Sequence, residues 1–437
     1  MDEPEVKSPL LSKPLVQKQM EQLERIVKEA ERRIDITVAG DPNVTKAIDC
    51  VERFLRKKRL VCYGGAAINA LLPEKRRFYD PKTTVPDYDF FSPSMEDDVT
   101  ELIDALEKDG FDDITKKLSM HEGTTKVYVN FIPVADCSEM NKQMFTILQK
   151  RAKSVDGILY CDPDFLRMLM YLELSRPRGE VKRWKKVFER LTLLNHEYPI
   201  DDCSTKITTA PIDIDDRKAI LEFCVKRKSV MLGPEFVELL ARDKGRTHLE
   251  TLAKTGGPLI FLSAAPEKEA NDIKYIMKAG SVKIEYVKSP SDHLYNYARV
   301  TRKGQPIALL FEEDSCHSYT LLKIDGDSEM RVGTPDTLLN LYYGLLIFGD
   351  KRLATFFQTS LDCLVRKLYH ISERHRGHPT RFVPSFGLRC SGHQRGIAEL
   401  LKLKAARTEK KKKGNTNANV NAKAKTRRLS DIRKLRR

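Results

Sequence analysis

The stretch that decides the fold reads YGGAAIN at residues 63–69 and continues with PDYDFFS at residues 86–92. The apolar residues before the diglycine predict a short buried strand, and the diglycine breaks that strand into a helix that begins at once. The second segment predicts another strand. Because side chains alternate along a strand, Asp87 and Asp89 point to the same face of the predicted sheet.

This pair of acids beside a glycine turn indicates phosphate chemistry. Two carboxylates on one face repel each other, and a hard cation such as Mg²⁺ relieves the repulsion by binding their oxygens. Gly64 and Gly65 let backbone N–H groups approach a phosphate at the N-terminus of the following helix. The alternative is two solvated acids on a half-exposed strand. The other Asp-x-Asp sequences, which begin at residues 162, 213 and 325, do not follow a diglycine turn.

Composition excludes several classes of protein. The chain has 437 residues, of which 41% are hydrophobic, and its length predicts two or three domains. The acidic N-terminus shows no secretory signal, and the nearly apolar run 338–348 is too short to span a bilayer. The nine cysteines form no CxxC pair and predict a reducing compartment rather than a disulfide framework.

The positive charge is concentrated at the C-terminus. The net charge is +15, and residues 407–437 contain 13 basic and two acidic residues. This composition predicts a disordered basic tail over 406–437. Such a tail binds a polyanion, serves as a nuclear address or acts as a solvated solubility tail.

The order of predicted elements indicates an α/β (α+β) fold. Strand, turn, helix and strand come first, and helices follow to about residue 194. The second half repeats this order loosely, with no fixed-period repeat. The predicted division is an N-terminal helical segment at 1–59, a catalytic domain at 60–200, a second domain at 201–405 and the tail at 406–437.

The glycine turn followed by Asp-x-Asp on the next strand resembles the polymerase-β-like nucleotidyltransferases. The runs KVYVNFIPVAD (126–136), FLRMLMYLELSRPR (165–178) and SGHQ (391–394) resemble the poly(A) polymerase catalytic subunits of large DNA viruses. The similarity covers roughly residues 15–405. The chain departs from the broad superfamily in an insert at 71–85, which is basic and either reaches the substrate or forms a surface loop.

The resemblance implies a two-metal adenylyl transfer from ATP to RNA 3′ ends, without a template, as in mRNA polyadenylation. It implies a third carboxylate from a later strand, for which Asp136 fits best and Asp112 and Asp113 are alternatives. It also implies a second, degenerate nucleotidyltransferase-like domain without an acid pair. The residues predicted to bind Mg²⁺ or Mn²⁺ and to catalyse are Asp87, Asp89 and Asp136, and those predicted to bind the nucleotide are Gly64, Gly65, Arg176, Lys182 and Arg183.

The resemblance further implies self-association or a processivity subunit as partner, no membrane, and a place in the virion or host cytoplasm. Two alternatives stay open: another RNA nucleotidyltransferase, making oligoadenylate or adding uridylate, and an inactive RNA-binding scaffold. His375, His378, Cys390 and His393 have spacing typical of a zinc site, although their flanks predict a loop.

Overall fold

The computed structural model describes nearly all of the chain up to residue 402. The tail predicted at 406–437 lies outside the described residues, which are 14–80, 82–119, 123–277, 281–289, 294–326, 328–349, 351–357, 359–396 and 398–402.

Two mixed sheets with flanking helices form the fold. The first half contains helices α1 (Pro14–Ala39), α2 (Pro42–Lys58), α3 (Gly64–Leu71), α4 (Met95–Lys108), α5 (Lys142–Arg151), α6 (Pro163–Leu174) and α7 (Trp184–Glu197). Its strands are β1 (Val61–Tyr63), β2 (Tyr88–Ser92), β3 (Ile114–Leu118), β4 (Thr124–Val129), β5 (Ile132–Glu139), β6 (Lys153–Val155) and β7 (Ile158–Tyr160). These strands form a seven-stranded sheet in the order β3-β4-β5-β2-β1-β7-β6.

The second half contains helices α8 (Ile214–Arg227), α9 (Pro234–Ala241), α10 (Leu249–Thr255), α11 (Pro266–Ile276), α12 (Pro335–Phe348), α13 (Lys351–Ala354) and α14 (Leu361–Gly377). Its strands are β8 (Val230–Met231), β9 (Arg246–Thr247), β10 (Leu259–Ser263), β11 (Val282–Val287), β12 (Tyr297–Arg302), β13 (Gln305–Glu312), β14 (His317–Ile324), β15 (Ser328–Gly333) and β16 (Cys390–Ser391). The path through this sheet is β11-β12-β13-β10-β8-β15-β14-β16, and β9 pairs with β14.

The two sheets repeat one topology. In both, the strand at the centre pairs antiparallel with one neighbour and parallel with the other, as β2 does with β1 and β5 and as β10 does with β8 and β13. The mixed α/β class predicted from the sequence is confirmed. The loose repeat of element order predicted between the two halves corresponds to a repeat of strand order in the two sheets. The domain boundaries at 59/60 and 200/201 stay a proposal.

The sequence explains how α2 begins and where it packs. The Asp41 carboxylate accepts a hydrogen bond from Asn43 N at 2.8 Å, and Pro42 occupies the first turn, where no N–H is needed. The apolar positions of the helix, among them Val51 and Leu55, are fully buried. Because these positions recur every three or four residues, they form one face that packs against the first sheet.

The nearly apolar run at 338–348 forms most of α12, which lies buried between the two sheets and packs against α6. Phe348 contacts Phe165 edge to face, with ring centroids 6.0 Å apart. The Asn340 amide, a polar group in this interface, donates to Met168 O at 3.1 Å and accepts from the Tyr295 hydroxyl at 2.8 Å. The apolar composition of this run therefore reflects an internal helix, with its buried amide hydrogen-bonded. No helix in the part of the chain that the structure describes is long and apolar enough to cross a membrane.

The expectation that the cysteines stay unpaired is wrong for four of them. Cys203 is bonded to Cys363 and Cys316 to Cys390, while the other five cysteines are free and buried. The partners lie 160 and 74 residues apart in the chain, so spacing rules for short motifs could not find them. Only the fold brings each pair within bonding distance.

We predict that the denatured, unreduced protein has five reactive thiols and that reduction exposes all nine. Each bridge closes a long loop and is expected to stabilise the fold by about 2–5 kcal/mol, so dithiothreitol should lower the Tm by several degrees. A variant with Ala at all four bridged positions is the control, and its Tm should not respond to dithiothreitol. Nine reactive thiols before reduction would contradict the pairing.

Candidate active site

The site is built on one row of residues that crosses four strands of the first sheet. The strand pairing sets Tyr63 of β1 opposite Asp89 of β2, Asp89 opposite Asp136 of β5, and Asp136 opposite Lys126 of β4. Paired residues in a sheet point to the same face. Asp87 lies two residues before Asp89 and shares this face. The structure thus brings the three predicted carboxylates together, whereas Asp112 and Asp113 are exposed ahead of β3.

The diglycine turn lies against these acids. Gly64 has a φ of +70°, and a Cβ at this position would lie 2.5 Å from Asp89 Oδ2. At Gly65 a Cβ would lie 2.9 Å from Arg190 Nη1 and would also meet the Tyr79 hydroxyl. Position 64 therefore favours glycine through its left-handed backbone, whereas a Cβ at residue 65 would displace the ends of the Tyr79 and Arg190 side chains.

The acids lie in an environment that opposes their charge. Burial, followed by the charges of Asp87 and Asp136, raises the pKa of Asp89 to about 7, while Lys126 and Arg183 act in the opposite direction. Burial and the charge of Asp136 also raise the pKa of Asp87. A cation bound among these carboxylates would stabilise their charged forms and so lower the pKa values of both Asp87 and Asp89.

The donor set fits a hard divalent cation. Asp87 Oδ1 and Asp136 Oδ1 are buried and have no hydrogen-bond partner. Asp136 is 6% exposed, and its other oxygen, Oδ2, is bonded to the Lys126 ammonium. Carboxylate oxygens without a partner are the ligands that Mg²⁺ and Mn²⁺ prefer. Within the described residues, no three acidic, His or Cys side chains converge closely enough, as they stand, to enclose an ion.

The predicted nucleotide-binding cations occupy different places. Arg183 lies near enough for its charge to act on Asp89, and it also pairs with Glu173 at 3.1 Å. Lys182 is exposed on the 3₁₀ turn before α7. Arg176 forms an ion pair with Asp314 at 3.6 Å, so it joins the two sheets. Binding of nucleotide by these three residues stays a prediction.

Sequence reasoning missed the basic residue nearest the glycine turn. Arg190 donates to the Tyr79 hydroxyl at 2.6 Å, and its guanidinium lies 4.8 Å from the centre of the Phe78 ring. Together with Lys186 on α7 and Arg183 immediately before the helix, it lies on one side, because three and four residues separate them. Burial, with the charges of Arg190 and Arg183, lowers the pKa of Lys186. The spacing of these three cations was the signal available in the sequence.

The insert at 71–85 folds onto the site. Asn69 Oδ1 on α3 accepts hydrogen bonds from Phe78 N at 2.9 Å and Tyr79 N at 3.0 Å. These bonds hold both aromatic side chains of the insert against Arg190. The insert therefore positions a cation beside the diglycine turn.

The second sheet lacks the acids. Its own register places Ile260 opposite Leu309, at the positions that Asp89 and Asp136 occupy in the first sheet. Pro258 occurs where the first sheet has Asp87. The resemblance implied that the second domain has no acid pair. At the corresponding positions the second sheet has apolar side chains.

The residues with zinc-like spacing do not form a cluster. Cys390 is bonded to Cys316, the His375 ring faces His378 O at 3.2 Å, and His393 pairs with Glu399.

Trp184, the only tryptophan, donates from Nε1 to Glu173 O at 3.0 Å and packs against Phe386. These contacts tie the start of α7 to the end of α6 and to the segment that follows α14.

The raised pKa of Asp89 predicts a pH-dependent stability in EDTA. The folded protein holds this proton up to about pH 7, whereas the unfolded chain releases it near pH 4, so stability falls as pH rises between these values. Asp89→Asn removes the titration. Its Tm should exceed that of the wild type by an amount that grows from pH 5 to pH 8 in thermal melts.

Asp325→Asn serves as the control with the opposite sign. A hydrogen bond from His248 lowers the pKa of the Asp325 carboxyl, so the wild-type group contributes stability at higher pH that is lost as pH falls. Because the folded and unfolded pKa values of Asp325 both lie at or below about 4, the Tm deficit of this variant should develop as pH rises to about 4, outside the pH 5–8 window in which Asp89→Asn is compared. A constant Tm difference for Asp89→Asn between pH 5 and 8 would show that Asp89 is not titrating as described.

Comparisons with known proteins agree with this geometry. Residues 49–180 match the family "Poly(A) polymerase catalytic subunit". A "Putative poly(A) polymerase catalytic subunit" of African swine fever virus (isolate Pig/Kenya/KEN-50/1950) is 32% identical over 39% of this chain and 37% of that protein. The protein of the same name from Acanthamoeba polyphaga mimivirus is 29% identical over 43% of this chain and 32% of that protein.

The fold is similar to the crystal structure of the Megavirus polyadenylate synthase, with a TM-score of 0.73 and 18% identity over 95% of this chain and 86% of that chain. The sequence matches span about a third of the length of the curated relatives. The resemblance indicated by the sequence is therefore confirmed: residues 49–180, which carry the glycine turn and the three aspartates, match the poly(A) polymerase catalytic subunit family.

Proposed function

We propose that this protein is a poly(A) polymerase, a polynucleotide adenylyltransferase that adds AMP from ATP to RNA 3′ ends without a template. The observation that carries the proposal is the row that sets Asp89 opposite Asp136 in the sheet, with Asp87 on the same face and Gly64 against Asp89. The family matched by residues 49–180 supports the choice of polyadenylation over other nucleotidyl transfers.

In this proposal the RNA 3′ hydroxyl gives up its proton with the help of Asp136, its oxygen forms a bond to the ATP α-phosphorus, and the bond from that phosphorus to the leaving pyrophosphate breaks. Asp87, Asp89 and Asp136 hold Mg²⁺ or Mn²⁺ through their carboxylate oxygens. Bound there, the ions neutralise charge on the phosphates and lower the pKa of the attacking hydroxyl. The backbone N–H groups of the diglycine turn, at the N-terminus of α3, orient the triphosphate.

The basic face of α7 is proposed to bind the triphosphate. Arg190 lies beside Gly65 and the charge of Arg183 acts on Asp89, while Lys186 lies on the same side of the helix and Lys182 just ahead of it. Electrostatic stabilisation of the leaving pyrophosphate is the main contribution expected from such residues. Arg176 is proposed to bind the nucleotide as well, and in this structure it pairs with Asp314 at 3.6 Å.

Primer extension tests the activity. With a labelled RNA, Mg²⁺ and ATP, the wild type should produce a ladder, and Asp87→Asn/Asp89→Asn should slow extension by about 10²–10³-fold or more, because the site loses its charge. The matched control is Asp112→Asn/Asp113→Asn, which removes two neighbouring acids outside the site and should leave the ladder intact.

The same assay separates the alternatives. A ladder with UTP in place of ATP would keep the chemistry and make the protein a uridylyltransferase. Short 2′,5′-linked products without primer would indicate an oligoadenylate enzyme. RNA binding without extension by any NTP would leave the scaffold interpretation and contradict the proposal.

Arg190 should act on ATP binding. Arg190→Ala removes a charged hydrogen-bond donor beside the turn, and we expect the KM for ATP to rise about 10–100-fold. Tyr79→Phe keeps the ring but removes the hydroxyl that accepts from Arg190, so a smaller rise is expected. Lys185→Ala, on another face of α7, is the control. Steady-state kinetics with circular dichroism as a folding check would measure this, and an unchanged KM in Arg190→Ala would refute the role.

A partner surface is available on α1. Met20, Leu23, Val27 and Ile34 repeat at spacings of three, four and seven residues, and Leu23 and Ile34 are 51% and 62% exposed. This spacing is typical of a helix that packs against another helix. We propose that α1 contacts either a second copy of the chain or a processivity subunit.

The basic tail supports a proposal about RNA binding, and the viral relatives support a proposal about where the protein acts. The tail at 406–437 is proposed to add sequence-independent affinity for RNA, which would make binding fall steeply with salt. The viral origin of the relatives supports a site of action in the virion or host cytoplasm. The basic tail would also serve as a nuclear address.

A further inference from the structure

One cation is built into the row of carboxylates. Lys126 stands directly opposite Asp136 in the antiparallel pairing of β4 with β5, and its ammonium is bonded to Asp136 Oδ2. The Lys126 side chain is 30% exposed, whereas that of Asp136 is 8% exposed, so the ammonium enters the site from the solvent side. Its charge also acts on Asp87 and Asp89. A single ammonium thus faces all three acids.

The next residue in the row shows that this contact is selective. Lys117 of β3 pairs with Lys126 across the strands, so two lysines are neighbours on one face. Lys117 instead extends over the Tyr128 ring, 5.3 Å from its centre. Lys126 turns towards the acids, where it offsets their mutual repulsion.

The second sheet supplies an internal comparison. Its corresponding row runs from Ile260 through Leu309 and Arg299 to Glu285. Arg299 takes the place of Lys126, but with apolar residues on its inner side it pairs outward with Glu285 at 2.7 Å. A basic residue is present at this position in both sheets, and it turns towards whichever side carries the acid.

We propose that Lys126 acts as a tethered cation, a positive charge fixed to β4. Its ammonium neutralises Asp136 in the metal-free protein and leaves this carboxylate when a divalent metal ion binds. The inference deepens the proposed function, because it rests on the three aspartates being the metal ligands. Two carboxylate oxygens, Asp87 Oδ1 and Asp136 Oδ1, have no partner, whereas Asp136 Oδ2 is occupied by the lysine. A divalent ion bound to these free oxygens would place its charge beside the Lys126 ammonium, so the two cations compete for Asp136. Lys126 thus sets the metal affinity and keeps the acids together when the metal is absent.

The experiment is a Mn²⁺ titration of the full chain without ATP or RNA, followed by the EPR signal of free Mn²⁺. Lys126→Met removes the competing charge, so the Kd for Mn²⁺ should fall at least about tenfold. Lys126→Arg keeps the charge and can bind the carboxylate with two N–H groups, so its affinity should equal that of the wild type or be weaker. Lys117→Met, the cross-strand neighbour, should leave the Kd unchanged.

Thermal melts provide a second readout. In EDTA, Lys126→Met should have a lower Tm than the wild type because the acids lose their counterion, and added Mn²⁺ should raise its Tm by more than it raises that of the wild type. If Lys126→Met fails to fold, Lys126→Arg still decides, since tighter Mn²⁺ binding by that variant would overturn the inference.

Failure of the inference and failure of the proposed function are distinguishable. If the wild type extends RNA with ATP but Lys126→Met binds Mn²⁺ no more tightly, the tethered-cation role is overturned and the polymerase stands. In the opposite case, Lys126→Met binds Mn²⁺ more tightly but the wild type fails to extend RNA with any of the four NTPs. The role of Lys126 is then supported and the proposed function fails.

Discussion

The parallel pairing of β2 with β5, in the register that sets Asp89 opposite Asp136, is the constraint on which the site depends. Because the side-chain period of a strand is two residues, a slip of one residue would turn either carboxylate into the core on the opposite face of the sheet. The register is held by fully buried Phe90 and Cys137, which are opposite each other one residue further along. The apolar face of the sheet thus fixes the geometry of its charged face.

This charged face carries a cost that other parts of the structure reduce. Buried carboxylates close to one another resist ionisation, as the raised pKa values of Asp87 and Asp89 indicate. Lys126 and Arg183 offset the repulsion with charges from two different elements, β4 and the turn before α7. Pre-arranged charges of this kind are characteristic of sites that stabilise a charged transition state, where local stability is given up for function.

The second sheet has the same strand arrangement without buried carboxylates that repel one another. Ile260 and Leu309 replace the acids, and the sheet serves as an apolar base for α12, which packs on α6 of the first half. The ion pair of Arg176 with Asp314 and the hydrogen bond from Ser318 N to Ser175 O at 2.9 Å add polar contacts near the end of α6. The first sheet therefore carries the candidate site, whereas the second sheet has apolar residues at the same positions and packs against α12.

The sequence by itself indicated the fold class, the glycine turn and the acid pair, because strand alternation, glycine conformation and the order of elements are local properties, whereas the third aspartate was implied by the family resemblance. The helical segment expected at 1–59 contains α1 and α2, and the nearly apolar run 338–348 forms most of α12. Only the tertiary structure decided the strand register, the short β6–β7 hairpin, the disulfide pairs, the placement of Arg190 by the insert and the contact of Lys126 with Asp136. The β2–β5 register, the disulfide pairs and the placement of Arg190 join residues distant in the chain that meet only when the sheets form. The β6–β7 hairpin and the Lys126–Asp136 pair join nearer residues, whose pairing the sequence pattern did not indicate.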